Sequence, residues 1–348
     1  MNAAYRQIIN APVADRTDLF LATAQRLGTP LGNVEKDFWV CWTLGALYHR
    51  LPPTGPRLLF KGGTSLSKAY DLIRRFSEDI DVTVYRDDLG EEASVSDLEA
   101  LSGKKRKAKL ESIRNACQTF ITGRMRVGLE HLLHEDTGGL GKVDVDADDP
   151  DQQTLLVYYP SVENTDGSTY VRPVVRIESG AKSALDPNRL VTLRPYVADD
   201  MDMPDLAVTD VRTIEAGRTF WDKVVILHGL RRWYEHRGQL RQEGQRISRH
   251  YYDLHCLIQA DIGPATVADG TLGAECVRHA RLFFDRPDFD LASAAAGTFA
   301  LSPPADMAAA LERDYQAMAG MIFGPPPAFE EVLASIRQIE QAINTATS

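Results

Sequence analysis

The chain has 348 residues, 44% of them hydrophobic, and a formal net charge of −10. That length is enough for a large buried core and points to two domains. The acidic balance argues against a protein coated in nucleic acid, although a local basic groove is compatible with it. Helices are expected over 15–27 and 34–48, the second carrying Phe38, Trp39, Trp42 and Leu44. Pro52, Pro53, Gly55 and Pro56 then break the chain before a strand over Leu58–Lys61. A helix from 65 to about 73 leads into a strand over 79–85, and residues 97–134 read as helical. Residues 135–153, rich in Gly, Asp and Pro, read as an acidic loop. Strands are expected over 154–159 and 170–177, joined by a turn at 164–168, with another over 191–197. From about Asp210 the pattern is mainly helical, with a break over 323–327 before the last helix. The expected class is therefore α/β, a mixed-sheet domain over 1–210 followed by a mainly helical domain over 211–348.

The segment from Phe60 to Val84 holds most of the chemistry. Ile80, Val82 and Val84 alternate with Asp79, Asp81 and Thr83, the period of a strand, so both carboxylates share one face. Two such carboxylates repel unless a cation or water lies between them. Before them, Gly62-Gly63-Thr64-Ser65 opens a helix. Glycines allow close backbone approach, Thr64 or Ser65 offers a hydroxyl, and a helix start favours anions. Ser65 also reads as the N-cap of that helix. Together these features point to a magnesium–nucleotide site, with Asp79 and Asp81 as metal ligands. Two other motifs are excluded. Ser65-Leu66-Ser67-Lys68 matches Ser-x-x-Lys, but the later Ser-Asp-Asn and Lys-Thr-Gly are missing. A Walker A motif fails for want of Gly-Lys-Ser/Thr.

Gly62-Gly63-Thr64, Leu66, Lys68, Arg75, Ser77 and Asp79-Ile80-Asp81 resemble the signature of the AbiEii/AbiGii-type nucleotidyltransferase toxins. That group includes the MenT toxins and lies within the DNA polymerase β-like superfamily. Arg218-Thr219-Phe220-Trp221-Asp222-Lys223 and Arg249-His250-Tyr251-Tyr252-Asp253-Leu254 extend the match, which covers roughly 34–258. The gap from the glycine turn to Asp-x-Asp is longer than in minimal nucleotidyltransferases, and the toxin branch tolerates it. The resemblance implies a polymerase β-like fold and transfer of an NMP from an NTP with release of pyrophosphate. It implies Gly62, Gly63, Thr64, Ser65, Lys68 and Ser77 as nucleotide-binding residues. Lys223 would face the triphosphate from the helical domain, and Asp253 would support it. A helix-packing ion pair between Lys223 and Asp253 is the alternative, and the sequence leaves both open. The superfamily usually employs a third carboxylate on a neighbouring strand; Glu178 is the candidate, alternating with Val175 and Ile177 alongside Arg176. A strand-end ion pair with Arg176 would explain it equally. The implied setting is a bacterial toxin–antitoxin or phage-defence (abortive infection) pair with a cognate antitoxin, and some relatives act on the tRNA 3′ end.

Two basic stretches stand out against the acidic background. One holds Lys104, Lys105, Arg106, Lys107 and Lys109. The other runs from Arg231 and Arg232 through Arg237 to Arg249, interleaved with Trp233 and Tyr234, and suits an RNA acceptor, tRNA by resemblance. Transfer to a protein or small molecule, or nucleotide and RNA binding without chemistry, are the alternatives. His131 and His134 lack companion ligands and read as structural. Cys41, Cys117, Cys256 and Cys276 are scattered, which suits reduced, buried thiols rather than zinc. With no leader-like segment and no apolar run long enough for a bilayer, a cytoplasmic protein without membrane contact is expected.

Overall fold

Among the described residues seven strands, β1 (Leu58–Lys61), β2 (Asp79–Val84), β3 (Lys142–Val145), β4 (Thr154–Tyr158), β5 (Val174–Gly180), β6 (Asn188–Leu193) and β7 (Val208–Ile214), form one mixed sheet. Its order is β3-β4-β5-β2-β1-β7-β6. The computed structural model describes residues 3–77, 79–163, 173–201, 203–241 and 246–345. The chain divides into two units. The first comprises Met1–Ala69, Phe76–Ala93 and Leu101–Ile214 and contains the whole sheet. The second comprises Tyr70–Arg75, Ser94–Ala100 and Glu215–Ser348. The sequence pattern predicts a boundary near 210; the units divide at Ile214 and Glu215, and two short upstream segments belong to the second.

In the first unit β2 lies at the centre, antiparallel to β1 and parallel to β5. Ile80, Val82 and Val84 are fully buried, as the alternation requires. Helix Leu31–His49 packs on β5 and β7 with Val34, Phe38, Trp39, Val40 and Leu44 buried. The Trp39 ring stacks on Tyr159 at 5.1 Å, fixing that helix beside the end of β4.

Several expected elements shift. The helix after β1 runs over Gly62–Lys68 rather than 65 to 73. Asp71 takes φ 51°, a left-handed conformation that a helix cannot continue through. Beyond it Arg75 pairs with Ile322 as an isolated antiparallel bridge, and Phe323 N donates to the Arg74 carbonyl. The expected acidic loop contains β3, an edge strand whose Lys142 and Asp144 form an ion pair at 2.7 Å. Its charged residues blunt the edge and hide the strand signal. Where helix was expected from 210, β7 runs parallel to β1. Asp210 at φ 52° breaks its alternation, as does the irregular register between Val191 and Leu193 on β6. The turn at 164–168 and the start of the strand expected at 170–172 lie outside the described residues.

The second unit is helical from Ala216 onward. Helix Ser248–Gln259 packs against Ala216–Arg237, Ala305–Met318 and Phe329–Thr345. The last of these buries Phe329, Val332, Leu333, Ile336, Ile339 and Ile343, a stripe at helical spacing. No helix among the described residues is long and apolar enough to cross a membrane.

Candidate active site

Strand register sets the candidate site in the first unit. Lys61 of β1 pairs with Asp81 of β2, and Asp81 pairs with Glu178 of β5. Paired residues on neighbouring strands project to the same face, so Lys61, Asp81 and Glu178 form a row across three strands. Asp79 pairs with Arg176 in the parallel row. Both aspartates are only partly covered, while their apolar neighbours are sealed beneath.

Asp81 lies directly against the glycine turn. Gly62 has φ 77°, and a Cβ built there would lie 1.9 Å from Asp81 Oδ2 and 2.6 Å from its Cγ. Glycine is thus required twice over, by its backbone and by the carboxylate touching it. Lys61 Nζ approaches Asp81 Oδ1 at 3.6 Å. Glu178 is held by Arg176 Nε at 3.1 Å, and Arg176 also reaches Asp146 at 2.7 Å. Both features considered for Glu178 are therefore present, its place beside Asp81 and its ion pair with Arg176.

The polar residues of the turn are committed elsewhere. Thr64 is fully buried, its Oγ1 bonded to the Asp79 carbonyl and 2.8 Å from Ser77 Oγ. A hydroxyl has one proton, so with that proton on the carbonyl, Ser77 donates to Thr64. Ser65 is also fully buried and donates to the Gly62 carbonyl at 2.8 Å. It sits inside the helix rather than at its N-cap, which is Lys61, because the helix begins at Gly62. The Thr64 hydroxyl braces the turn against β2, and that of Ser65 braces the turn on itself. Lys68 is buried against Asp37 at 2.6 Å with its ammonium 3.7 Å above the Tyr196 ring. Burial, the largest influence, would lower its pKa, but the opposing influences, the Asp37 charge first among them, raise it on balance. Its charge is neutralised inside the fold, whereas the sequence placed it at the nucleotide.

The second unit holds its own charged cluster. Arg75 grips Asp253 with two bonds, Nε to Oδ1 at 2.8 Å and Nη2 to Oδ2 at 2.9 Å. Lys223 reaches Asp253 Oδ2 at 2.8 Å and lies 3.5 Å from His250 Nδ1. Asp253 is fully buried between helices Ala216–Arg237 and Ser248–Gln259. Burial would raise its pKa, yet Arg75 first and then Lys223 hold the carboxyl well below the usual range. Two cations share one carboxylate. Burial, the largest influence, accordingly lowers Lys223; Asp253 opposes it and Arg75 adds to it. Burial and then the Lys223 charge keep His250 well below an ordinary histidine, so its neutral Nδ1 can accept from the ammonium. The ion pair between Lys223 and Asp253 that the sequence left open is thus present, with Arg75 as a third member.

The arginines expected to hold RNA are largely paired within the protein. Arg231 and Arg232 meet Glu235 at 2.8 and 3.0 Å, and Arg237 meets Asp288 at 2.6 Å. Arg249 is exposed and meets no acid among the described residues. Lys104, Lys105 and Lys107 are likewise exposed, at the start of helix Gly103–Phe120.

The donor set fits magnesium, which takes hard oxygen ligands and binds through one or two carboxylates completed by substrate phosphates. Among the described residues no group of three or more His, Cys, Asp or Glu side chains converges as a self-sufficient metal cage.

The family described as nucleotidyl transferase AbiEii toxin, type IV TA system, matches residues 45–335. The chain belongs to this family. It is a nucleotidyltransferase, and AbiEii membership brings with it the use of an NTP and an antitoxin partner. The match spans the acidic strand, Glu178, Lys223 and Asp253. MenT4, a nucleotidyltransferase toxin from Mycobacterium tuberculosis H37Rv, is similar in structure at 17% identity, covering 94% of this chain and 99% of that chain with a TM-score of 0.41. A search of curated proteins gave no match. Two participants carried little signal in the sequence of this AbiEii toxin. Lys61 could have been found only from its place before Gly62 in a strand beside β2. Arg75 stood in the family signature, but nothing local pointed to Asp253.

Proposed function

We propose that this AbiEii-family toxin is a magnesium-dependent enzyme that transfers an NMP from an NTP to an RNA acceptor, the 3′ end of a tRNA, and releases pyrophosphate. It would serve a bacterial toxin–antitoxin and phage-defence system in the cytoplasm. One observation carries the reading: Asp81 is pressed against the glycine turn, in register with Glu178 and on the same face as Asp79. Asp79 and Asp81 would hold the metal, with Glu178 as third carboxylate. When bound, magnesium neutralises phosphate charge and orients the oxygens for in-line displacement. The chain's own part is to fix the carboxylates, and Gly62, the Thr64 and Ser65 hydroxyls and the pair of Arg176 with Asp146 all serve that. Gly62 and Gly63 leave the turn's backbone open to the nucleotide; Ser77 supports it through Thr64. Lys223 and Asp253 keep the roles the resemblance implies, a charge-stabilising ammonium and the carboxylate that holds it.

For the acceptor, Arg231, Arg232, Arg237 and Arg249 remain the proposed contacts. Arg249 has most weight because its side chain meets no acid among the described residues. Exposed Lys104, Lys105 and Lys107 offer a second surface for a polyanion. The test incubates the protein with each labelled NTP and deproteinised total RNA, and separately with purified protein. Label on RNA, lost steeply with added salt, is expected. Label on protein alone would refute the RNA acceptor.

A further inference from the structure

We infer that Lys61 is a substrate-binding residue whose ammonium rests on Asp81 in the free protein and moves onto the phosphate oxygens of the incoming nucleoside triphosphate. This deepens the proposed function and rests on it. Three observations carry it. First, Lys61 is the last residue of β1, in register with Asp81 and so on the same face as the carboxylates. Its backbone is anchored by the ladder on one side and by Gly62 on the other, while its side chain keeps a flexible four-carbon reach.

Second, the contact with Asp81 is loose. It measures 3.6 Å, with the lysine 29% and the aspartate 26% exposed. A pair so exposed and so long does little to hold the fold together. Third, the other cations on these elements are already bound. Lys68 is buried on Asp37 at 2.6 Å, and Arg176 is held by Asp146 at 2.7 Å and Glu178 at 3.1 Å. Lys61 therefore keeps an available charge beside the acidic row, in register with Asp81, where a triphosphate would otherwise face the carboxylates at close range. A lysine ammonium is a compact point charge suited to phosphate oxygens.

A rival role is that Lys61 merely offsets the charge of Asp81. Equilibrium dialysis of each labelled NTP in EDTA separates the two, using wild type, Asp81→Asn and the double variant Lys61→Met/Asp81→Asn. Circular dichroism verifies that each variant is folded. In Asp81→Asn the lysine is released, so NTP should bind tighter than to wild type. In the double variant affinity should fall about tenfold or more below Asp81→Asn, the size of a lost charge-assisted hydrogen bond. Equal affinity of the two variants would overturn the role of Lys61 and leave the proposed function standing. Failure of the wild type to bind any NTP, with or without magnesium, would overturn both.

Discussion

Replacing Gly62 by alanine tests the site through its tightest contact. The added Cβ would lie 1.9 Å from Asp81 Oδ2, 2.6 Å from Cγ and 2.9 Å from Cβ. Rotating the carboxylate relieves the first overlap but not the last, so the turn or β2 must shift. The backbone adds strain, since φ is 77°. A left-handed residue bearing a Cβ costs about 1–2 kcal/mol, and overpacking costs about 1–3 kcal/mol. Gly62→Ala should therefore lower the unfolding free energy by about 2–5 kcal/mol. Gly90 is the control: φ is 73° and a Cβ there would meet nothing within 4 Å, so Gly90→Ala should show the backbone cost alone. Urea denaturation of both variants, with Asp81→Ala added to each, reads the difference. The second substitution removes the 1.9 and 2.6 Å overlaps but keeps the one at 2.9 Å, so it should recover part of the overpacking cost in Gly62→Ala and none of the loss in Gly90→Ala, a coupling expected only between touching groups. Transfer activity should fall in Gly62→Ala because Asp81 is displaced. Equal destabilisation by the two glycine substitutions would refute the contact.

Asp253→Asn removes the carboxylate that Arg75 and Lys223 share and should cost about 3–5 kcal/mol by denaturation; a loss under about 1 kcal/mol would show the cluster to be solvated. Lys223→Ala leaves the two Arg75 bonds to Asp253 in place, so stability should drop less than in Asp253→Asn while transfer falls about a hundredfold. Full activity in Lys223→Ala would remove its charge-stabilising role. His250 stays neutral in the folded protein below the pH at which a free histidine protonates. The unfolded chain then binds the extra proton, so stability declines as pH falls below about 6.5, by up to about 1.4 kcal/mol per pH unit. His250→Asn should flatten that slope between about pH 6.5 and 5, and an unchanged slope in thermal unfolding would contradict the assignment.

The acidic strand was legible because its signal is local. Ile80, Val82 and Val84 alternate with the aspartates, and the structure buries those three completely. Strand order is not local, so the sequence could nominate Glu178 but not place it beside Asp81. Short strands with charged outward residues escaped notice: β3 reads Lys-Val-Asp-Val, and β7 is interrupted by Asp210 in a left-handed conformation. Charges were the hardest to assign. Lys68 looked available, yet its partner Asp37 comes from a helix preceding β1. The arginines near Trp233 looked like a nucleic-acid surface, but Glu235 and Asp288 engage three of them. Arg75 finds Asp253 across 178 residues, a pairing no spacing rule can suggest.

The most direct measurement is pyrophosphate release by purified wild type and Asp81→Asn, supplied with the four NTPs, magnesium and total RNA. Removing one carboxylate oxygen leaves the shape of β2 nearly unchanged, so both proteins should melt at similar temperatures. The wild type should release pyrophosphate only with magnesium present, and Asp81→Asn should release almost none. Release by Asp81→Asn near the wild-type rate, still dependent on magnesium, would contradict the assignment of the acidic strand as the catalytic metal site.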